Sequence, residues 1–205
     1  SIKKTPKKGD KIVVMGGDNY RIGMGGAAVS SADTGAFDSG IELNAVQRSN
    51  PEMQKRVANT IRAAVEADKN PIISIHDHGA GGHLNCLSEL IEEVGGSIAL
   101  DKLPVGDQTL SAKEIIGNES QERMGLITNA NGLKQLKEIA ERERAPIYEV
   151  GEVTNDNHFE VRSEKNECAP IDLPLSDFFG KTPKTIMRDT TSTKQYKPVP
   201  LQTEN

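Results

Sequence analysis

The chain has 205 residues, of which 35% are hydrophobic, 3% aromatic and 27% charged, and its formal net charge is −5 at pH 7. This length suits one domain, with or without an appendage, built on a core of Ile, Val, Leu and Ala. The negative charge excludes the broad basic surface of a nucleic-acid-binding protein. Cys86 and Cys168 form no CxxC pair, which argues against a disulfide framework or a zinc ribbon. Without a secretory signal or a long apolar run, the sequence predicts a cytoplasmic protein.

The first 48 residues combine one apolar run with polar, glycine-containing segments. Residues 1–10 are rich in lysine and lack periodicity, and we interpret them as a leader. The run Lys11–Met15 predicts a buried strand that stops at Gly16. We interpret residues 33–41 as a mobile loop and residues 42–48 as a short strand.

A helix is predicted to begin after Asn50, because Asn is a favoured N-cap and Pro51 then occupies the first helical position. Apolar side chains recur every four residues along it and predict one buried stripe. The stripe consists of Met53, Val57, Ile61 and Val65. The strand Pro71–Ile75 follows and leads into the sequence IHDHGAGG.

The second half of the chain alternates predicted helices and strands. The predicted helices lie at residues 84–91, 111–118 and 132–142, and the predicted strands at 97–100, 123–128, 147–150 and 158–162. The last two strands flank a turn at residues 155–157, which indicates a hairpin. Residues 189–205 have the composition of a linker or disordered tail. Together these elements predict an α/β (α+β) fold in which a mixed β-sheet is flanked by helices.

The sequence around Asp77 carries the most distinctive chemistry. An acid and three histidines stand beside three glycines, which permit a sharp turn or a close approach of the backbone to a ligand. A carboxylate at a strand end suits Mg²⁺, which takes one or two protein carboxylates together with phosphate oxygens and water. Asp77 could equally organise its own turn by accepting from backbone N–H groups. The histidines have no further His or Cys partner at the spacing of a zinc site.

Glu114 and Asn118 are four residues apart, so a helix would place both side chains on one face. Together with Asp77 they could form an all-oxygen magnesium site. The alternative is that Glu114 closes a capping box with Ser111 and that Asn118 ends the helix. The sequence ESQER at 119–123 is open to two interpretations, a group that binds a polar ligand or a solvated helix end.

Six segments, in this order, resemble the phosphoribosylformylglycinamidine synthase family of purine biosynthesis: IGMGGAAVSS, AVQRSNPEMQKR, IHDHGAGG, NESQERM, RERAPIYEVGE and PIDLPLSDFFGKTPK. The resemblance implies that residues 11–188 form the first of two C-terminal-type lobes in the synthetase region of a long enzyme. Such a lobe has a fold like the C-terminal domain of aminoimidazole ribonucleotide synthetase. The other lobes and the glutaminase domain would be its partners within the same full-length chain.

The resemblance also implies an activity. The family is a group of cytoplasmic, glutamine-dependent ligases that convert formylglycinamide ribonucleotide, ATP and glutamine into formylglycinamidine ribonucleotide, ADP, phosphate and glutamate. One lobe by itself would be inactive. Two alternatives stay open: a structural lobe with an auxiliary nucleotide that does not turn over, and another ATP-dependent enzyme of the superfamily, such as aminoimidazole ribonucleotide synthetase.

Individual site residues follow from the resemblance, motif by motif. The Mg²⁺ ligands at a bound ATP or ADP would be Asp77, Glu114 and Asn118, with His76 beside the nucleotide. The substrate-binding residues would be Gln47, Glu119, Ser120 and Gln121. The chain departs from the family pattern in three places: Ala27 and Val29 stand in a loop that is usually richer in glycine, and His78 stands where an apolar residue is usual.

Overall fold

The computed structural model describes residues 4–25, 28–29, 32–33, 35–45, 50–120, 122–180, 183–188, 190 and 194–197. The strands are β1 (Lys11–Met15), β2 (Ile72–Asp77), β3 (Gly96–Ala99), β4 (Met124–Thr128), β5 (Ile147–Val153), β6 (His158–Ser163) and β7 (Cys168–Pro174). The helices are α1 (Ser39–Asn44), α2 (Pro51–Val65), α3 (Gly82–Leu90), α4 (Ala112–Gly117), α5 (Ala130–Glu143) and α6 (Leu175–Phe179). A 3₁₀ turn covers Leu100–Lys102.

These strands form one seven-stranded mixed sheet with the order β2–β4–β1–β5–β3–β6–β7. All pairs are antiparallel except β3 and β6, which are parallel. β1 lies between β4 and β5, and four of its side chains are fully buried. Because successive strand residues face opposite ways, Ile12 and Val14 pack with α3, α4 and α6, whereas Val13 and Met15 pack with α2 and α5. The predicted mixed sheet with flanking helices is therefore confirmed.

The start of α2 is as predicted, since the Asn50 side chain accepts a hydrogen bond from the backbone N–H of Met53 at 3.0 Å. The predicted stripe is wrong at Val65, whose side chain is 48% exposed. A step of four residues rotates a helix by about 40° beyond a full turn, so three such steps leave the buried face. The buried positions of α2 are Val57, which was predicted, and Thr60 and Ala64, which were not.

Two other local predictions are wrong. Residues 42–44 belong to α1 and not to a strand, because Asp38 caps that helix by accepting from the backbone N–H of Gly40 at 2.8 Å. α1 also takes up the end of the predicted loop 33–41, and residues 46–49 lie outside the described part of the chain. β7 and α6 were not predicted, because β7 is mostly exposed and contains two prolines.

The predicted hairpin of β5 and β6 is also wrong. β3 lies between these strands, antiparallel to β5 and parallel to β6. The side chain of Ile98 in β3 is fully buried, in keeping with the position of this strand inside the sheet. After the turn at residues 155–157, β6 therefore lies on the side of β3 opposite to β5.

The segment 4–10 packs against the sheet. The backbone N–H of Gly9 donates to the carbonyl of Val153, and the N–H of Val153 donates to the carbonyl of Asp10, both at 2.9 Å. The ammonium of Lys4 contacts the carbonyl of Asn70 at 3.2 Å. The domain bounds 1–10, 11–188 and 189–205 stay predictions. None of the described helices is both long and apolar enough to cross a membrane.

Candidate functional site

A glycine turn joins the end of β2 to the start of α3. Gly81 and Gly82 both have positive φ angles, +87° and +58°, which side-chain-bearing residues rarely adopt. A Cβ atom on Gly82 would lie 2.6 Å from the carbonyl carbon of Asn118 and still closer to its oxygen. The turn therefore packs directly against the backbone of Asn118, the residue that ends α4. Glycine is required here for backbone conformation and for space.

Asp77 is the last residue of β2, and 73% of its side chain is exposed. His76 lies beside it, with Nδ1 3.0 Å from the carbonyl oxygen of Asp77 and Nε2 against the carboxylate of Glu89 on α3. The Asp77 carboxylate is thus open to solvent at the edge of the glycine turn. His76 connects this strand end to α3.

Glu114 has two sets of partners. Its Oε2 accepts from the backbone N–H and the hydroxyl of Ser111, both at 2.8 Å, and this confirms the predicted capping box. Its Oε1 accepts from the guanidinium of Arg21. The bonds from Ser111, followed by the charge and hydrogen bond of Arg21, lower the pKa of Glu114 below its usual value. Glu114 is therefore an ionised carboxylate at neutral pH.

Asn118 is fully buried, and both ends of its amide are bonded. Its Nδ2 donates to the carbonyls of Tyr20, at 3.0 Å, and Ile22. Its Oδ1 accepts from Nη2 of Arg123 at 2.7 Å. Asn118 thereby holds the loop after β1 against the end of α4.

Arg123 is the centre of the polar network behind the turn, and its side chain is fully buried. Nη2 donates to both the carbonyl and Oδ1 of Asn118, while Nη1 donates to Oδ1 of Asn19 and to Nε2 of His83 at 3.0 Å. Burial lowers the pKa of Arg123 to about 10, so it remains a cation at neutral pH. The guanidinium bonds Asn19, His83 and Asn118 together, and the negative charge of Glu122 favours its charged form.

His78 and His83 form a buried pair, with His78 Nε2 2.8 Å from His83 Nδ1 and the rings perpendicular. Their tautomers follow from Arg123, which can only donate. His83 must accept at Nε2 and so carries its proton on Nδ1, which donates to Nε2 of His78. His78 then carries its proton on Nδ1. Both rings are therefore neutral.

These neutral histidines predict a pH-dependent stability. Burial, and then the charge of Arg123, places the pKa of both rings well below the usual 6.5. Below pH 6.5 the unfolded chain therefore binds protons that the folded chain does not. The free energy of unfolding then decreases as the pH decreases, by up to ~1.4 kcal/mol per pH unit for each histidine. Urea denaturation between pH 7.5 and 5.5 measures the slope, which His78→Leu should reduce by about half. An equal slope in the parent and in His78→Leu would contradict this prediction.

The proposed substrate residues adjoin the same loop. Glu119 and Ser120 are buried, and the backbone N–H of Glu119 donates to the carbonyl of Gly23 at 2.8 Å. The hydroxyl of Ser120 is buried and has no hydrogen-bond partner among the residues that the structure describes. Gln47 and Gln121 lie outside the described residues, as does Ala27.

The structure thus brings Asn118 against the glycine turn that begins at Asp77, and places Glu114 one helical turn before Asn118. Among the described residues, no three His, Cys, Asp or Glu side chains form a group that could hold a metal ion. The proposed set contains only two such residues plus an amide, so the ligand assignment stays a prediction. Sequence reasoning missed Arg21 and Arg123, whose only signal was a charged residue beside a glycine segment or before an apolar strand.

The sequence matches a family model described as AIR synthase related protein, C-terminal domain, over residues 7–164. The chain belongs to this family. The sequence and structural relatives agree with that assignment, and they confirm both the resemblance carried by the six motifs and the predicted fold.

The proteins that resemble the chain are much longer than it is. Phosphoribosylformylglycinamidine synthase of Dictyostelium discoideum is 41% identical over 207 residues, which cover 98% of this chain and 15% of that protein. T. maritima PurL complexed with FGAR has a TM-score of 0.76 and 27% identity, over 94% of this chain and 31% of that one. T. maritima PurL complexed with ATP, at 24% identity and a TM-score of 0.68, shows the same fold.

Proposed function

We propose that this chain is one lobe of a phosphoribosylformylglycinamidine synthase, which amidates formylglycinamide ribonucleotide with ATP and glutamine-derived ammonia in the cytoplasm. The observation that carries the proposal is the alignment of 98% of the chain, at 41% identity, with only 15% of the Dictyostelium synthase. The remaining lobes and the glutaminase domain would belong to the same full-length protein. A single lobe of this kind supplies ligand contacts and is inactive alone.

Substrate contact is assigned to the segment that begins at Glu119. The T. maritima relative is complexed with FGAR. In this chain Glu119 is held against the loop after β1, and the buried Ser120 hydroxyl finds no hydrogen-bond partner within the described part of the chain. A buried hydroxyl that lacks a partner is costly unless a ligand or water satisfies it. Gln47 and Gln121 are proposed to complete the polar contacts to the substrate.

Magnesium and nucleotide are assigned to Asp77, Glu114 and Asn118, with His76 beside the nucleotide. The donor chemistry fits a hard cation, since Glu114 is ionised and the Asp77 carboxylate is 73% exposed. A bound Mg²⁺ would neutralise phosphate charge at this end of the sheet. Glu114 is held in place by its capping box. The side-chain oxygen of Asn118 accepts from Arg123, so a cation that binds this amide would have to replace that hydrogen bond.

One alternative is a structural lobe with an auxiliary nucleotide that does not turn over. Catalytic and auxiliary roles use the same residues and differ in whether the retained nucleotide exchanges during turnover. A different ATP-dependent enzyme of the superfamily, such as aminoimidazole ribonucleotide synthetase, is disfavoured by the near-complete alignment with the Dictyostelium synthase.

The assignment predicts the ligand content of the full-length protein. Asp77→Asn and Glu114→Gln should each lower the magnesium and nucleotide retained through purification by about fivefold or more, because each removes a negative oxygen donor. Metal analysis and chromatography of the released nucleotide measure this. Asp177→Asn, at an exposed acid in α6, is the matched control and should retain both ligands. Unchanged retention in both site variants would return Asp77 to a role in the turn.

A further inference from the structure

Arg21 occupies the oxygen of Glu114 that capping leaves available. Oε2 of Glu114 is bonded to Ser111, and Oε1 accepts from Nη1 of Arg21. Any cation that binds Glu114 through Oε1 must therefore share this oxygen with the guanidinium or displace it. Two positive groups cannot share one carboxylate oxygen at bonding distance without repelling each other.

Arg21 is attached to its surroundings on several sides. Nη2 donates to the carbonyl of Thr109 at 3.0 Å and to its hydroxyl at 2.9 Å, and Nε lies 3.6 Å from Oδ2 of Asp107. These contacts tie the loop after β1 to residues 107–109 and to α4. Arg21 stands two residues before Gly23, whose carbonyl accepts from the backbone N–H of Glu119. The cation position and the proposed substrate segment are thus linked through this short loop.

The two arginines near the site differ in their freedom to move. Arg123 is fully buried and bonded to Asn19, His83 and Asn118, so its release would break a core network. Arg21 has 49% of its side chain exposed, and its partner Glu114 has 27%. Exposed ion pairs contribute little net free energy, because both ions are well solvated when they separate. Arg21 can therefore leave Glu114 at small cost.

From this arrangement we propose that Arg21 is a tethered competitor of the divalent cation, bound to Glu114 when the cation is absent and released when it binds. This rests on the proposed magnesium role of Glu114. Arg21 then has two effects: it lowers the cation affinity, and it couples cation binding to the position of the loop at residues 21–23. The Asp107 and Thr109 contacts keep the released guanidinium nearby, so it re-forms the pair when the cation dissociates.

The test uses Mn²⁺ as the probe in the full-length protein, with free Mn²⁺ measured by electron paramagnetic resonance. The Mn²⁺ ion held at this site is identified as the ion that the Glu114→Gln variant binds more weakly than the parent does. Arg21→Gln should bind that ion about fivefold more tightly than the parent, the gain expected from removing an exposed ion pair that competes for the ligand. Arg62→Gln is the matched control, an exposed arginine paired with Glu66 in α2, and should leave the affinity unchanged.

A second variant separates competition at Glu114 from a general effect of charge. In the Glu114→Gln background, Arg21→Gln should give no gain, since the shared oxygen is then neutral and the coupling is lost. A gain that persists in this background, or an unchanged affinity in Arg21→Gln alone, overturns the proposal while leaving the magnesium assignment intact. An unchanged Mn²⁺ affinity in Glu114→Gln overturns the magnesium role of Glu114 itself, and the competition with it.

Discussion

Gly82→Ala should lower the free energy of unfolding by about 4 kcal/mol. The left-handed backbone at Gly82, with φ +58°, costs a side-chain-bearing residue about 1 kcal/mol. The new Cβ would also overlap the backbone carbonyl of Asn118, and forced overpacking of this kind costs up to about 3 kcal/mol. Urea denaturation followed by circular dichroism measures the loss.

Gly117→Ala provides the matched control for this change. Gly117 lies in α4, only one residue from Asn118, and a Cβ there would meet nothing within 4 Å. Alanine in a helix is favoured over glycine by about 1 kcal/mol, so this variant should be equally stable or more stable. If Gly82→Ala were as stable as Gly117→Ala, the close packing of the turn against Asn118 would be refuted.

Arg123→Met should lower the free energy of unfolding by about 3 kcal/mol. The substitution leaves Oδ1 of Asn19, Oδ1 of Asn118 and Nε2 of His83 without their donor, and each buried acceptor left unpaired costs about 1–3 kcal/mol. Part of this loss is offset, because methionine no longer requires a cation to be buried. The measurement is again urea denaturation at neutral pH.

Arg62→Met, at an exposed arginine in α2, should change the stability by less than about 0.5 kcal/mol. The free energy of unfolding of Arg123→Lys should be close to that of Arg123→Met, because an ammonium cannot reproduce the planar fork that reaches Asn118 and His83 together. Full stability in Arg123→Lys would mean that charge alone, and not the geometry of the fork, holds the network.

Local signals in the sequence were sufficient for the parts of the fold that depend on neighbours in the chain. The N-cap at Asn50 and the capping box of Ser111 and Glu114 each involve residues three positions apart, and both are confirmed. The predicted hairpin of β5 and β6 is wrong because β3 pairs with both strands, a long-range contact that the turn sequence between β5 and β6 does not contain.

The candidate site, too, could be predicted only where the signal lies within a short stretch of sequence. Sequence motifs pointed to Asp77, Glu114 and Asn118, and the structure places Asn118 against the glycine turn. The partner of Glu114 could not be predicted, because Arg21 lies 93 residues away along the chain. Nor could the pairing of His78 with His83, which depends on the positive φ angles of Gly81 and Gly82 between them.

The Arg123 network also has a consequence for the order of folding. Its hydrogen bonds join residues 104 apart, at Asn19 and Arg123, and 40 apart, at His83 and Arg123. Closing such long loops costs entropy before the bonds form, and the pairing of β1 with β4 closes a loop of similar length, so we expect the network to assemble together with that pairing. A ligand that needs this network then binds only the native state, and it shifts the folding equilibrium towards that state by mass action.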